Sequence, residues 1–150
     1  MKAATPSRRA LPVLPCACAN LRRAARAVTR VYNRELRPTG LELTQVTLLM
    51  AVEMTGETTQ GKLGKVLALD STSLTRMLRL LIERRWISEK RGSDRRQRLL
   101  RLTPSGEEKL RKAWPYWERA QLRLRKGMGE QTWSQMGPLL AEVLRATKEP

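Results

Sequence analysis

Histidine and phenylalanine are absent from this 150-residue chain, and aromatic side chains make up only 4% of it. Without histidine it lacks the commonest general base and the commonest metal ligand. Two cysteines, Cys16 and Cys18, are too few for a disulfide scaffold, and the C-x-C spacing is too tight for a relaxed disulfide within one element. No apolar run approaches the ~18 residues of a membrane span. Pro12 and Pro15 interrupt Leu11, Val13 and Leu14, a poor core for a secretory leader. A soluble, cytoplasmic protein is expected. No nucleophile–base pair, phosphate loop or metal-ligand spacing stands out, so the sequence argues against an enzyme and asks for no cofactor and no metal. With so few aromatics, Leu, Val, Met, Ala and the four Trp must fill the core.

Acidic residues are the other scarcity. Fourteen Asp and Glu face thirty Lys and Arg, a formal net charge of +16. Such a surplus favours a polyanionic partner, because each cation placed on a phosphate releases condensed counterions. Solubility alone is the bland alternative, but a surplus of this size also costs self-repulsion in the fold. Arg far outnumbers Lys, and Arg forks onto phosphates and guanine edges in a way Lys does not.

Residues 1–15, with three Pro and several basic residues, read as a mobile arm. Residues 17–36 predict a first helix with Leu21, Ala24, Ala25, Val28, Tyr32 and Leu36 on helical spacing, ended by Pro38 and Gly40. A second helix is expected from an N-cap at Thr44 to Met54, and a third from Gln60 to Leu67. Asp70 and Ser71 offer a fresh N-cap for a fourth, running to about Arg85. Two short strands follow, 86–91 and 97–102, around the turn formers Gly92, Ser93 and Asp94. Thr103 caps a fifth helix with Pro104 at its first position, running to about Lys126. Pro115 should kink or split it. A last helix from Glu130 carries Trp133, Met136, Leu140, Val143 and Leu144 on one face, with a kink expected at Gly137 and Pro138.

The chemistry concentrates between Gln60 and Arg101. Two short helices meet at a turn around Ala68, Leu69 and Asp70, the size of a helix-turn-helix. On the second, Leu74, Leu78, Leu81 and Ile82 share one face, and Thr72, Thr75, Arg76, Arg79 and Glu83 the other. Ser71 and Ser73 complete a start of small hydroxyl residues. Small residues let a helix approach the floor of a groove, hydroxyls bond bases or phosphates, and Arg forks onto guanine. An amphipathic helix with a solvated basic face would look the same, so the sequel decides. From Ser71 to Arg101 ten Lys/Arg stand against three Asp/Glu. Arg91, Asp94, Arg95, Arg96 and Arg98 sit in or beside a hairpin tip that can reach a neighbouring minor groove, where negative potential favours inserted Arg.

The stretch Leu69-Asp70-Ser71-Thr72-Ser73-Leu74-Thr75-Arg76-Met77-Leu78 resembles the recognition helix of the MarR family. Ile87 through Thr103, with Ser93-Asp94-Arg95-Arg96 and the exit Thr103-Pro104-Ser105-Gly106, resembles its wing. The resemblance covers nearly all the chain from residue 16 onward. It implies a mainly α (α+β) winged helix-turn-helix over 41–103, with a helical dimerisation lobe built from 16–40 and 104–150. It implies that Arg96 enters the minor groove, that Asp94 steadies the wing, and that the protein is a DNA-binding regulator, more commonly a repressor. Pro138 departs from the family's usual uninterrupted last helix.

The apolar stripes of the first and last helices are wider than one small lobe needs. Trp114, Trp117 and Trp133 are each worth on the order of 2–3 kcal/mol when buried. Pairing two chains would hide them and set two recognition helices about 34 Å apart, one turn of duplex. Double-stranded DNA and a second copy are therefore the expected partners. The family also implies a small aromatic or phenolic effector between the lobes, for which Tyr32 and Arg26 are candidates, with interhelical packing as the plainer role for Tyr32. Cys16 and Cys18 could sense oxidant or bind a soft metal ion across a dimer, or simply sit at the helix entry. A non-specific architectural DNA-binding protein would share the charge without needing a structured helix-turn-helix.

Overall fold

The structure is a computed structural model that describes residues 12–92 and 97–147. Helix α1 spans Ala17–Leu36 and a short 3-10 turn spans Arg37–Thr39. Then come α2 (Leu43–Thr55), β1 (Thr58–Thr59), α3 (Gln60–Leu67), α4 (Ser71–Glu83), β2 (Ile87–Arg91), β3 (Arg98–Leu102), α5 (Pro104–Met128) and α6 (Glu130–Ala146). The sheet is antiparallel in the order β1-β3-β2. Ile87 lies opposite Leu102 and Arg91 opposite Arg98, while Thr58 lies opposite Leu100 on the other side of β3. This is a winged helix-turn-helix flanked by three helices.

One apolar cluster joins the pieces. Leu36 of α1, Val46, Leu49 and Val52 of α2, Leu63 of α3, Leu74, Leu78 and Leu81 of α4, Ile87 and Leu100 of the sheet, and Leu110 and Ala113 of α5 are all buried in it. The helical periodicity of these residues is what folds α2, α3 and α4 against the sheet. Gly40 ends the 3-10 turn in the left-handed region, at φ 69°, where a Cβ would be strained.

Several local expectations are corrected. Helix α2 is capped by Glu42, not Thr44. Gln45 stands three residues after Glu42, and its side-chain oxygen accepts from the Glu42 N–H at 3.1 Å. Asn33 of α1 accepts from the Leu43 N–H at 2.7 Å. Helix starts are placed where their free N–H groups find acceptors. Helix α4 ends at Glu83 rather than Arg85, because Arg85 turns left-handed at φ 59°. Neither proline splits its helix: α5 runs through Pro115 and α6 through Pro138. A proline removes one backbone hydrogen bond, and in α5 buried residues on both sides of it, Leu110, Ala113 and Ala120, fasten the helix to the core. Strand β1 was not expected. Residues 12–15 of the anticipated arm lie along α1, where Asn20 bonds both the N–H and the C=O of Leu14 and Arg23 donates to the Pro12 carbonyl.

The exit from the wing explains its sequence. Thr103 Oγ1 accepts from the Gly106 N–H at 3.0 Å and donates to the Arg85 carbonyl at 2.6 Å. A Cβ on Gly106 would collide with the Trp86 carbonyl. Thr103-Pro104-Ser105-Gly106 is thus a cap, a pre-set first turn and a close approach in succession, and it locks α5 to the turn between α4 and β2. Two cations approach the Trp86 ring, the Arg84 and Lys109 charges each 5.2 Å from its centre, and Lys109 also donates to the Thr39 carbonyl at 2.7 Å.

Candidate nucleic-acid interface

The turn between α3 and α4 is built by Ala68, which is left-handed at φ 50°, and by the Leu69 N–H, which donates back to the Gly64 carbonyl at 3.0 Å. Asp70 then caps α4. One carboxylate oxygen accepts from the Ser73 N–H at 2.9 Å and the other from the Ser73 hydroxyl at 2.6 Å. These bonds, the hydroxyl's first, hold the Asp70 carboxyl below the usual carboxylate range, because they stabilise its ionised form. Gln60, the first residue of α3, reaches across to Thr75 Oγ1 at 2.7 Å and ties the two helices together.

With Leu74, Leu78 and Leu81 turned into the core, Ser71, Thr72, Ser73, Thr75, Arg76 and Arg79 are all exposed. Ser71, Thr72, Thr75, Arg76 and Arg79 line one shallow outward groove. Arg91 and Arg98 face each other at the outer end of the β2–β3 pair, both exposed. Asp94, Arg95 and Arg96 lie outside the described residues.

These side chains divide into committed and free. Arg79 pairs with Glu83 at 2.8 Å within α4, and Arg98 with Glu89 at 2.8 Å across the wing. The hydroxyl protons of Ser73 and Thr75 go to Asp70 and to the Ser71 carbonyl. Among the described residues, Arg76, Arg91 and the hydroxyls of Ser71 and Thr72 have no such partner. The wing is braced at its base by Glu57, which holds Lys90 at 2.9 Å and Arg101 at 3.8 Å. The Lys90 hydrogen bond, then the charges of Lys90 and Arg101, keep the Glu57 carboxyl below its ordinary range.

Sequence reasoning missed Gln60, Glu57 and the pairing of Glu57 with Lys90 of the basic hairpin. Nothing in the sequence near Glu57 marks it, since its partners Lys90 and Arg101 lie more than thirty residues further on. Nothing local marks Gln60, whose partner is fifteen residues away.

The remaining candidates are scattered. Tyr32 is buried at 8% exposure, its ring 6.4 Å from Trp117, and burial raises its hydroxyl pKa. Trp117 stacks in turn on Trp114 at 4.8 Å. Arg26 is exposed on α1. Cys16 caps α1 and Cys18 lies in its first turn, and both are exposed thiols. Among the described residues, no three His, Cys, Asp or Glu gather as a metal-holding group, and no helix is long and apolar enough to cross a membrane.

A basic recognition helix, backed by a core and flanked by a two-stranded wing, defines the winged helix-turn-helix class. A model of the MarR family matches residues 39–105. The uncharacterised HTH-type transcriptional regulator YwoH of Bacillus subtilis is 29% identical over 89 residues, covering 59% of this chain and 65% of that protein. The multiple antibiotic resistance protein MarR of Salmonella typhimurium is 37% identical over 78 residues, covering 51% and 54%. The matched region thus spans less than two thirds of these curated relatives. The M. tuberculosis transcriptional regulator MosR, in complex with DNA, superposes with a TM-score of 0.80 at 31% identity, over 87% of this chain and 95% of that one. A cysteine-to-serine mutant of E. coli MarR with operator DNA shares the fold, with a TM-score of 0.77 at 24% identity over 85% and 92%. The chain belongs to the MarR family.

Proposed function

We propose that this protein is a sequence-specific DNA-binding transcriptional regulator, a repressor that acts as a homodimer on a pseudo-palindromic operator. Helix α4 enters the major groove and the wing reaches the adjacent minor groove. The observation that carries this reading is the outward face of α4. Ser71, Thr72 and Arg76 are exposed, the two hydroxyls and the guanidinium have no partner among the described residues, and Leu74, Leu78 and Leu81 anchor the helix from behind. The DNA complexes of MosR and MarR support it by likeness. The MarR family consists of transcription regulators, not enzymes.

Dimerisation is supported by the far end of the molecule. No residue of α6 is buried, and Leu122, Leu139 and Leu144 are 62%, 65% and 56% exposed. A second copy laid on these leucines removes the apolar surface from water. Tyr32 is spent on packing against Trp117, so an aromatic effector is better served by the cleft where Glu53 of α2 faces Arg111 and Trp114 of α5. The exposure of Cys16 and Cys18 supports a second reading, in which oxidation of these thiols releases DNA. Replacing both by Ser should then make release insensitive to oxidant.

Selection from a random duplex library tests the main reading. A specific regulator recovers a symmetric motif that outcompetes random DNA by about 10³ or more. An architectural protein recovers none.

A further inference from the structure

The hydroxyl residues of α4 are not equivalent, and their hydrogen bonds show which can still speak to a base. A threonine hydroxyl has one proton and two lone pairs. Thr75 donates its proton to the Ser71 carbonyl at 2.7 Å, one turn back along the helix. Gln60 also lies 2.7 Å from the same oxygen. Since the Thr75 proton is already given, the Gln60 group facing it must be the amide NH₂, which donates. The longer approach of that NH₂ to the Ser71 carbonyl, 3.4 Å, fits the same orientation. Thr75 therefore has no proton left for a base or a phosphate. Thr75 is exposed, and besides one lone pair its unengaged group is the methyl. Thr75 lines the outward groove beside Arg76 and also the groove toward the wing, so it stands at the crest between them.

We propose that Thr75 is a specificity-determining residue that reads a pyrimidine C5-methyl, carried by thymine in unmodified DNA, through its own methyl group. In the major groove that methyl is what marks thymine, and apolar contact is how a side chain recognises it. The inference rests on α4 lying in the major groove, as proposed above. It divides the labour on the helix: Ser71, Thr72 and Arg76 donate hydrogen bonds, and Thr75 supplies shape. Its rival is acceptance, by the one remaining lone pair of Thr75, of a hydrogen bond from an adenine or cytosine amino group.

The test uses the full-length protein and its selected operator, with each thymine replaced in turn by deoxyuridine, which removes only the C5-methyl. Wild type should lose about three- to fivefold in affinity at one base pair of each half-site, the worth of about one buried methyl. Thr75→Val keeps a methyl, drops the oxygen, and should keep that loss. Thr75→Ser keeps the oxygen, drops the methyl, and should bind thymine and uracil equally at that position. The proposal is overturned if wild type is indifferent to uracil everywhere, if Thr75→Ser still discriminates, or if Thr75→Val does not. Preference for the operator over random DNA without any uracil effect removes the role of Thr75 alone. Absence of that preference removes the functional reading beneath it.

Discussion

The α3–α4–wing region and the α5–α6 region spend leucine in opposite ways. On α4, Leu74, Leu78 and Leu81 are buried within one protomer and the polar face is left outside. On α6, Leu139, Leu140 and Leu144 lie in the open and no residue is buried. The first region is finished as soon as one chain folds. The second keeps an apolar stripe that only another surface can cover. A rigid recognition surface joined to an unfinished helical end is what a paired DNA reader requires: the one end presents side chains, the other sets their spacing.

The sharpest way to break that contrast is to charge the open stripe. Leu140→Asp with Leu144→Asp, one turn apart on the same face, should leave a particle of about 17 kDa in light scattering and cut operator affinity by about 10²-fold or more, because the second half-site is no longer linked to the first. Retention of the dimer would show that the stripe is covered some other way. At the joint between the regions, Gly106→Ala should destabilise the fold by about 1–3 kcal/mol, since the Trp86 carbonyl must move to admit the Cβ. Denaturant unfolding measures it.

Within the recognition surface the contrast is between free and committed cations. Arg76→Ala should cost about 1–3 kcal/mol on the best operator and relax its preference at particular base pairs. Arg79→Ala should cost less, under about 1 kcal/mol, because Arg79 must first leave Glu83, although that exposed pair is itself weak. Binding titrations against the operator and single-base variants rank the two, and equal losses would erase the distinction. An effect of the opposite sign belongs to Thr58 of β1, whose buried hydroxyl has no hydrogen-bond partner among the described residues. Thr58→Val should raise stability by about 1 kcal/mol, read as a higher melting temperature.

Much of this was legible in the sequence because it is periodic. The bounds of α1 and α3, the Asp70 cap, the inward leucines of α4 and its exposed Thr72, Arg76 and Arg79 all follow from spacing and capping chemistry. Strand β1 was not legible, since two residues carry no alternation and Thr58–Thr59 are strand only by pairing with β3. The α2 cap escaped because Thr44 looks like a better cap than Glu42 until Asn33, ten residues back, is seen to satisfy Leu43. Pro115 reads as a kink or a split because local propensity cannot weigh the packing that holds α5 on either side of it. The commitment of Thr75 and Arg98 to Gln60 and Glu89 is tertiary, and composition shows only that hydroxyls and guanidiniums are present.

The most direct trial of the central claim is chemical footprinting of the protein on its selected operator. Guanine N7 and thymine methyl positions should be protected in two major-groove segments about 34 Å apart, one turn of duplex, with minor-groove protection beside each. Protection confined to the sugar–phosphate backbone, or spread evenly along the fragment, would contradict it.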